Sequence, residues 1–179
     1  MSPTTPEPTA TQFAMSTRVL SGTLMGALVF IGLACFFVLP LDETPPLWVP
    51  LAQLAAGIAT HALLEAMGYH TLPLDPSLTS DDAAAQARAQ WQSSMILRFA
   101  LCESIAILSL ALAFVLPEGG FLIYAGGALV ALVLMVVHVW PWARPVRKFA
   151  DTLESAGQAS GLREAFGVLG ASSGPIQRL

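Results

Sequence analysis

Five ionisable residues lie within or beside apolar segments of this chain, where charged side chains are rare. They are His61, Glu65, Arg98, Glu103 and His138. An ionisable group inside a membrane span costs several kilocalories per mole and normally faces protein or a water-filled cavity. Such groups can carry a proton, bind a cation, ligate a metal ion, or form the hydrogen bonds that fix how helices pack.

One polar stripe is evident from spacing. His61 and Glu65 are four residues apart, so a helix places them on one face. Gln53 and Gly57 precede them at the same spacing, which makes a slowly drifting stripe of four residues. Because polar groups avoid lipid, we expect this stripe to face the interior of a helix bundle.

Arg98 and Glu103 are too far apart around a helix to pair with each other. Their five-residue separation corresponds to about 140° of rotation. We expect the Arg98 side chain to extend to the lipid headgroups. Glu103 must then be protonated, contact water, or pair with another helix, and His61 or His138 is the natural partner. We also expect all five ionisable groups to share one level of the bundle.

Three interpretations of these residues stay open. The first is a hydrogen-bonded polar network that fixes helix register, and we take it as the leading one. The second is a protonatable transport site centred on Glu103. The third is a metal site, for which the candidate ligands are His61, Glu65, Glu103 and His138. The Glu-x-x-His pair of di-iron bundles is absent, so we expect no bound metal and no other cofactor.

Motifs for other chemistry are missing from the sequence. It has no nucleophile-elbow, P-loop, HExxH or dinucleotide-binding fingerprint. The two cysteines, Cys35 and Cys102, lie in apolar segments and have no metal-ligand spacing. We therefore expect a protein that is not an enzyme.

The composition is that of a membrane protein. Of the 179 residues, 55% are hydrophobic and only 11% are charged, whereas soluble domains have about 25% charged residues. The net charge of −4 gives no reason to expect nucleic-acid binding.

Four apolar segments are long enough to cross about 30 Å of hydrocarbon. They cover residues 19–40, 47–67, 94–116 and 121–140, which predicts an all-α protein of two antiparallel hairpins. Residues 1–15 are rich in Pro and Thr and are predicted to be a disordered tail. The sequence from Thr79 to Asp82 predicts a helix start near residue 80, outside the membrane. Residues 144–179 are predicted to be a cytoplasmic segment next to the membrane, of which 171–179 form a loose tail. The rest is amphipathic and interrupted by Gly157 and Gly161, and five apolar residues are expected at the headgroups: Phe149, Leu153, Leu162, Phe166 and Leu169.

The distribution of basic residues predicts an orientation. The links at 41–46 and 117–120 contain Asp42, Glu43 and Glu118 and no Lys or Arg. By the positive-inside rule, both termini and residues 69–92 lie in the cytoplasm and the protein is in the inner membrane. Three cations that follow the last span are then expected at the membrane surface: Arg144, Arg147 and Lys148.

The two predicted hairpins carry a weak internal repeat. With a shift of 77 residues, nine of the 25 positions from Ser16 to Pro40 are identical to those of the second hairpin. The same shift aligns His61 with His138. Either the chain contains a tandem duplication, or two Leu/Ala-rich helices have converged.

The third span opens with Arg98-Phe-Ala-Leu-Cys-Glu103, and the fourth ends with His138-Val-Trp-Pro-Trp-Ala-Arg144. Over residues 93–157 the chain resembles a widespread group of four-span bacterial membrane proteins that have no assigned activity. The resemblance implies four spans and no particular chemistry. We expect a structural or accessory membrane subunit that self-associates or joins a larger complex in the lipid bilayer. The alternative is a component of a proton- or cation-coupled transporter.

Overall fold

The computed structural model describes residues 9–168, and within this range the regular structure is helical. The α-helices are α1 (Ala10–Val38), α2 (Trp48–Met67), α3 (Ser80–Val115), α4 (Phe121–His138), α5 (Ala143–Leu153) and α6 (Leu162–Ala165). A 3-10 turn, Glu154–Ala156, follows α5. Helices α1 to α4 are long and apolar enough to cross a membrane, so the predicted all-α, four-span fold class is confirmed.

Helix α4 lies at the centre of the bundle, where it contacts α1, α2 and α3. Its closest approach is to α3, because a Cβ atom at Gly127 would overlap the side chain of Ser109. On α2, a Cβ at Gly57 would lie 2.6 Å from the Val130 side chain. Small residues therefore allow three backbones to approach each other, as is typical of membrane helices. Helices α1 and α2 flank the α3–α4 pair and pack mainly against it.

Two hydrophobic cores follow from this arrangement. The first core lies inside the four-helix bundle and contains residues such as Leu28, Leu64, Cys102, Ala131 and Met135. The second core lies at one end of the bundle, which we call the basic end because it carries Arg98, Arg144 and Lys148. Its buried side chains come from the start of α1, the link after α2, the start of α3 and the segment after α4: Phe13, Ala14, Tyr69, Leu74, Ala83, Ala87, Trp91, Val146, Phe149, Leu153, Leu162, Phe166 and Val168.

The start of α1 differs from the prediction. The sequence predicts a disordered tail that includes residues 10–15, but α1 already begins at Ala10. Thr9 and Gln12 form a reciprocal capping box, which satisfies free backbone N–H groups at this terminus. Phe13 is buried, and its ring lies 5.7 Å from that of Phe166. Residues 1–8 of the predicted tail lie outside the described range.

The segment after α4 also differs from the prediction. Its apolar residues, expected at the lipid headgroups, are buried in the second core, as Phe149, Leu153, Leu162 and Phe166 show. The reason is that α1 and α3 extend beyond the bundle and offer these side chains a protein surface. Gly157 and Gly161, with φ of 93° and 68°, interrupt the segment as expected. Leu169, also expected at the headgroups, and the predicted tail at 171–179 lie outside the described residues.

Helix α3 connects the two cores. It begins at Ser80, where the sequence predicts a helix start, and the Thr79 side chain accepts a hydrogen bond from the Asp82 backbone N–H. Its 36 residues correspond to about 54 Å, well beyond the thickness of the hydrocarbon. The first part of α3 therefore packs in the second core, and the remainder belongs to the bundle.

Candidate functional site

A pair of histidines joins α2 to α4 near the basic end. His61 Nδ1 lies 2.9 Å from His138 Nε2, and the two rings are tilted by 52°. His138 is fully buried as the last residue of α4, whereas the His61 side chain is exposed. One nitrogen of this pair donates a proton and the other accepts it, so each ring constrains the tautomer of its neighbour.

Tyr69 completes a chain of three hydrogen-bonding side chains. Its hydroxyl oxygen lies 3.0 Å from His138 Nδ1, on the side of the imidazole opposite His61. Burial raises the pKa of the Tyr69 phenol above its usual value, and the negative charge of Glu65 acts in the same direction. The phenol is therefore neutral and can either donate to His138 or accept from it.

Glu65 is held by two cations of α5. Its Oε1 accepts a hydrogen bond of 2.7 Å from Arg144 Nη2, and its Oε2 accepts one of 2.8 Å from Lys148 Nζ. Lys148 also donates to the Glu65 backbone carbonyl, over 3.0 Å. Two of the three residues expected at the membrane surface thus bind α2, while Arg147 is exposed. These ion pairs fix α5 against the end of α2.

Arg98 does not extend to the lipid headgroups as predicted; its side chain is fully buried at the basic end. Its Nη1 donates to the His138 carbonyl oxygen over 2.8 Å, and its Nε donates to the Ser94 carbonyl. The guanidinium carbon lies 4.7 Å from the centre of the Tyr69 ring and 5.0 Å from that of Trp91. The second core covers this residue, so two carbonyls and two π faces take the place of water for Nε, Nη1 and the face of the guanidinium. Its Nη2 is buried and has no hydrogen-bond partner among the described residues.

Glu103 is not part of this group of residues, contrary to the prediction that all five share one level. It lies five residues beyond Arg98, about 7.5 Å further along α3 from the basic end. Within residues 9–168, its carboxylate has no hydrogen bond or ion pair, and its side chain is half-buried. Its expected partners, His61 and His138, bond to each other, and neither forms a hydrogen bond or ion pair with it.

The predicted stripe on α2 faces inward only in part. Gln53 is buried, and its Nε2 donates to Ser109 Oγ over 2.9 Å and to the Ile123 carbonyl over 2.8 Å. Gly57 is also buried, but the next buried residue of α2 is Leu64. His61 and Glu65 therefore lie at the edge of the surface that α2 packs against the bundle. Because 3.6 residues make a turn, a stripe with a strict spacing of four rotates away from the interior over three turns.

Seven residues form what we call the polar cluster: His61, Glu65, Tyr69, Arg98, His138, Arg144 and Lys148. Sequence reasoning missed Tyr69 and the rings that cover Arg98, and it did not pair Glu65 with α5. The pairing of Glu65 with α5 could have been predicted from the sequence. Glu65 lies near the end of the second span, on the side of the membrane where the basic residues after the fourth span are also predicted. Chemically, the cluster contains three parts. His61, His138 and Tyr69 form a chain of hydrogen bonds, the Glu65 carboxylate is paired with two cations, and the Arg98 guanidinium is a buried cation. His61, Glu65 and His138 also bring one ligand atom each within 4.8 Å of one another.

Comparisons with known proteins add no assignment. No protein-family model, no curated protein and no solved structure matches this chain. The geometry of the site is therefore the basis for any functional conclusion.

Proposed function

We propose that this protein is a non-enzymatic structural or accessory subunit of the inner membrane, in which the polar cluster fixes the packing of the helices. Its termini lie in the cytoplasm, and it self-associates or joins a larger membrane complex. We also propose that it belongs to the group of four-span bacterial membrane proteins that residues 93–157 resemble.

The burial of Arg98 is the observation that carries the proposal. Its side chain lies at the junction of the two cores, in contact with α4 through His138 and with the second core through Trp91. Buried polar groups whose partners come from several helices specify one arrangement, because any other arrangement leaves them unpaired. The cluster connects α2, α3, α4 and α5, so it favours a role in holding the bundle and the second core together.

A second candidate is a component of a proton- or cation-coupled transporter that uses Glu103. The observation in its favour is that this half-buried carboxyl lies in a membrane span without a partner among the described residues. An ionisable side chain inside a membrane span normally faces protein or a water-filled cavity, so its position is compatible with an ion pathway.

The two candidates differ in what Glu103→Gln and Glu65→Gln change. A structural role predicts no ion flux in proteoliposomes that contain the wild-type protein, and none with Glu103→Gln. It also predicts that Glu65→Gln lowers the melting temperature in detergent, because Arg144 and Lys148 lose their shared partner. Glu118→Gln is the matched control, since this exposed residue lies in the acidic link at the opposite end.

Proton or cation flux in the wild-type protein that disappears in Glu103→Gln, with the melting temperature unchanged, would overturn the structural proposal in favour of transport. Assembly is tested separately by cross-linking in the native membrane. A protein that stays monomeric and binds no other membrane protein there is incompatible with an accessory role.

A further inference from the structure

The polar cluster contains a compact group of metal-ligand atoms. We propose that His61, Glu65 and His138 bind a single transition-metal ion of the zinc class. Their ligand atoms all lie within 4.8 Å of one another, and this group is the one of its kind that residues 9–168 contain. The inference goes beyond the packing role proposed above and does not depend on it.

The geometry of the two histidines suits a tetrahedral ion. Zinc binds imidazole nitrogens at about 2.0–2.1 Å, so two ligands at a tetrahedral angle lie about 3.3 Å apart. His61 Nδ1 and His138 Nε2 are 2.9 Å apart, and an opening of about half an ångström admits the ion in place of the shared proton. Glu65 follows His61 one turn later on the same helix, and its Oε1 lies 3.8 Å from His138 Nδ1. A rotation of the Glu65 side chain towards Nε2 is therefore needed for it to supply the third ligand.

The surroundings of His138 already have the form expected around a ligand. A metal-bound histidine usually donates its other ring N–H to an oxygen atom, which fixes the orientation of the ring. Here the Tyr69 oxygen lies 3.0 Å from Nδ1, and this leaves Nε2 directed towards His61. His138 is fully buried, so its ring is held in place before an ion arrives.

Glu65 keeps capacity to act as a ligand although two cations bind it. A carboxylate has about four lone-pair sites, and Arg144 and Lys148 use one on each oxygen. The cations reduce its attraction for a hard ion such as Mg²⁺ or Ca²⁺, which requires several oxygen ligands. The two imidazoles are therefore the principal ligands, and they select zinc-class ions. The exposed side chain of His61 leaves one side of the site open, both for entry of the ion and for a fourth ligand such as water.

The test uses the full-length protein, purified in detergent without a polyhistidine tag and stripped of metal with a chelator. Titration with ZnSO₄ in a calorimeter is expected to show one ion per chain. Addition of CoCl₂ is expected to give the intense visible absorption of four-coordinate cobalt rather than the weak absorption of an octahedral ion. Both readouts are independent of any activity.

The chain offers a matched control, because it contains three histidines and only His70 lies outside the site. We expect His61→Ala and His138→Ala each to weaken zinc binding by about tenfold or more, and His70→Ala to leave it unchanged. If His138→Ala does not fold, Glu65→Gln replaces it: it is expected to weaken zinc binding and to remove the zinc-dependent rise in melting temperature.

Two results would overturn the proposal. One is a wild-type protein that binds no stoichiometric zinc and gives only octahedral cobalt spectra. The other is zinc binding that His70→Ala abolishes while His61→Ala and Glu65→Gln leave it intact. Failure of metal binding does not affect the packing role, which is judged by the melting temperature of the metal-free protein.

Discussion

His61 Nδ1 and His138 Nε2 lie 2.9 Å apart, although the two residues are separated by 77 positions in the sequence. The same offset relates the identical residues of the two predicted hairpins. In a bundle with a twofold axis along the membrane normal, equivalent residues on inner helices approach each other near that axis. A tandem duplication would bring His61 and His138 together in this way. The duplication itself stays a prediction.

The buried guanidinium of Arg98 gives the first prediction. Arg98→Lys is expected to lower the free energy of unfolding by about 1–2 kcal/mol, because an ammonium group cannot stack on Tyr69 and Trp91 while it donates to the His138 carbonyl. Thermal melting in detergent measures the change. Arg147→Lys, at an exposed position, is the control and should shift stability by less than about 0.5 kcal/mol. Equal melting temperatures for both variants would show that the position of Arg98 is not structurally demanding.

The close contact between α3 and α4 gives the second prediction. In Gly127→Ala the new methyl group overlaps the side chain of Ser109 and lies 3.2 Å from the Ile105 carbonyl oxygen. Such overpacking costs about 1–3 kcal/mol, which should be visible as a lower melting temperature. Gly26→Ala is the control, because a Cβ atom there meets nothing within 4 Å. The alanine should leave the protein unchanged or slightly more stable, since alanine favours helix more than glycine does.

The N-terminal end of α1 gives the third prediction. Phe13 is 3% exposed in the second core, so Phe13→Ala is expected to cost about 3 kcal/mol and to make the segment after α4 more susceptible to limited proteolysis. Met15, two residues further on, is 67% exposed, and Met15→Ala should have little effect on either measurement. A disordered tail at residues 10–15 would instead make both substitutions silent.

The orientation in the membrane gives the fourth prediction. Single cysteines are placed in a chain in which Cys35 and Cys102 are replaced by alanine, at Ser77 in the α2–α3 link or at Glu118 in the α3–α4 link. By the positive-inside rule, a membrane-impermeant maleimide added to intact spheroplasts should label the cysteine at position 118 and not the one at position 77. The reverse pattern of labelling would place the second core outside the cytoplasm.

The sequence was sufficient to predict the four spans and the start of α3, because both depend on local patterns. Hydropathy over about 20 residues identifies a span, and the side chains from Thr79 to Asp82 provide the helix cap within one turn. It also identified four members of the polar cluster, since ionisable groups in apolar segments are conspicuous.

The remaining features depend on contacts between distant parts of the chain. Glu65 pairs with residues 79 and 83 positions away, and Phe13 packs against Phe166. No local pattern distinguishes an apolar side chain that enters lipid from one that enters a second protein core, and for this reason the sequence predicts Phe149 and Leu153 at the headgroups. The predicted pairing of Glu103 with a histidine rests on residue type alone, which does not indicate that the two histidines bind each other.

The continuity of α3 has a mechanical consequence. The helix contains no proline or glycine between Ser80 and Val115, so it has no sequence position at which a kink is favoured. One continuous helix therefore joins the four-helix bundle to the second core. A change of about 10° in tilt about its midpoint displaces Ser80 by about 5 Å. Any change in the tilt of the bundle part of α3 would therefore be transmitted to the second core through one continuous helix.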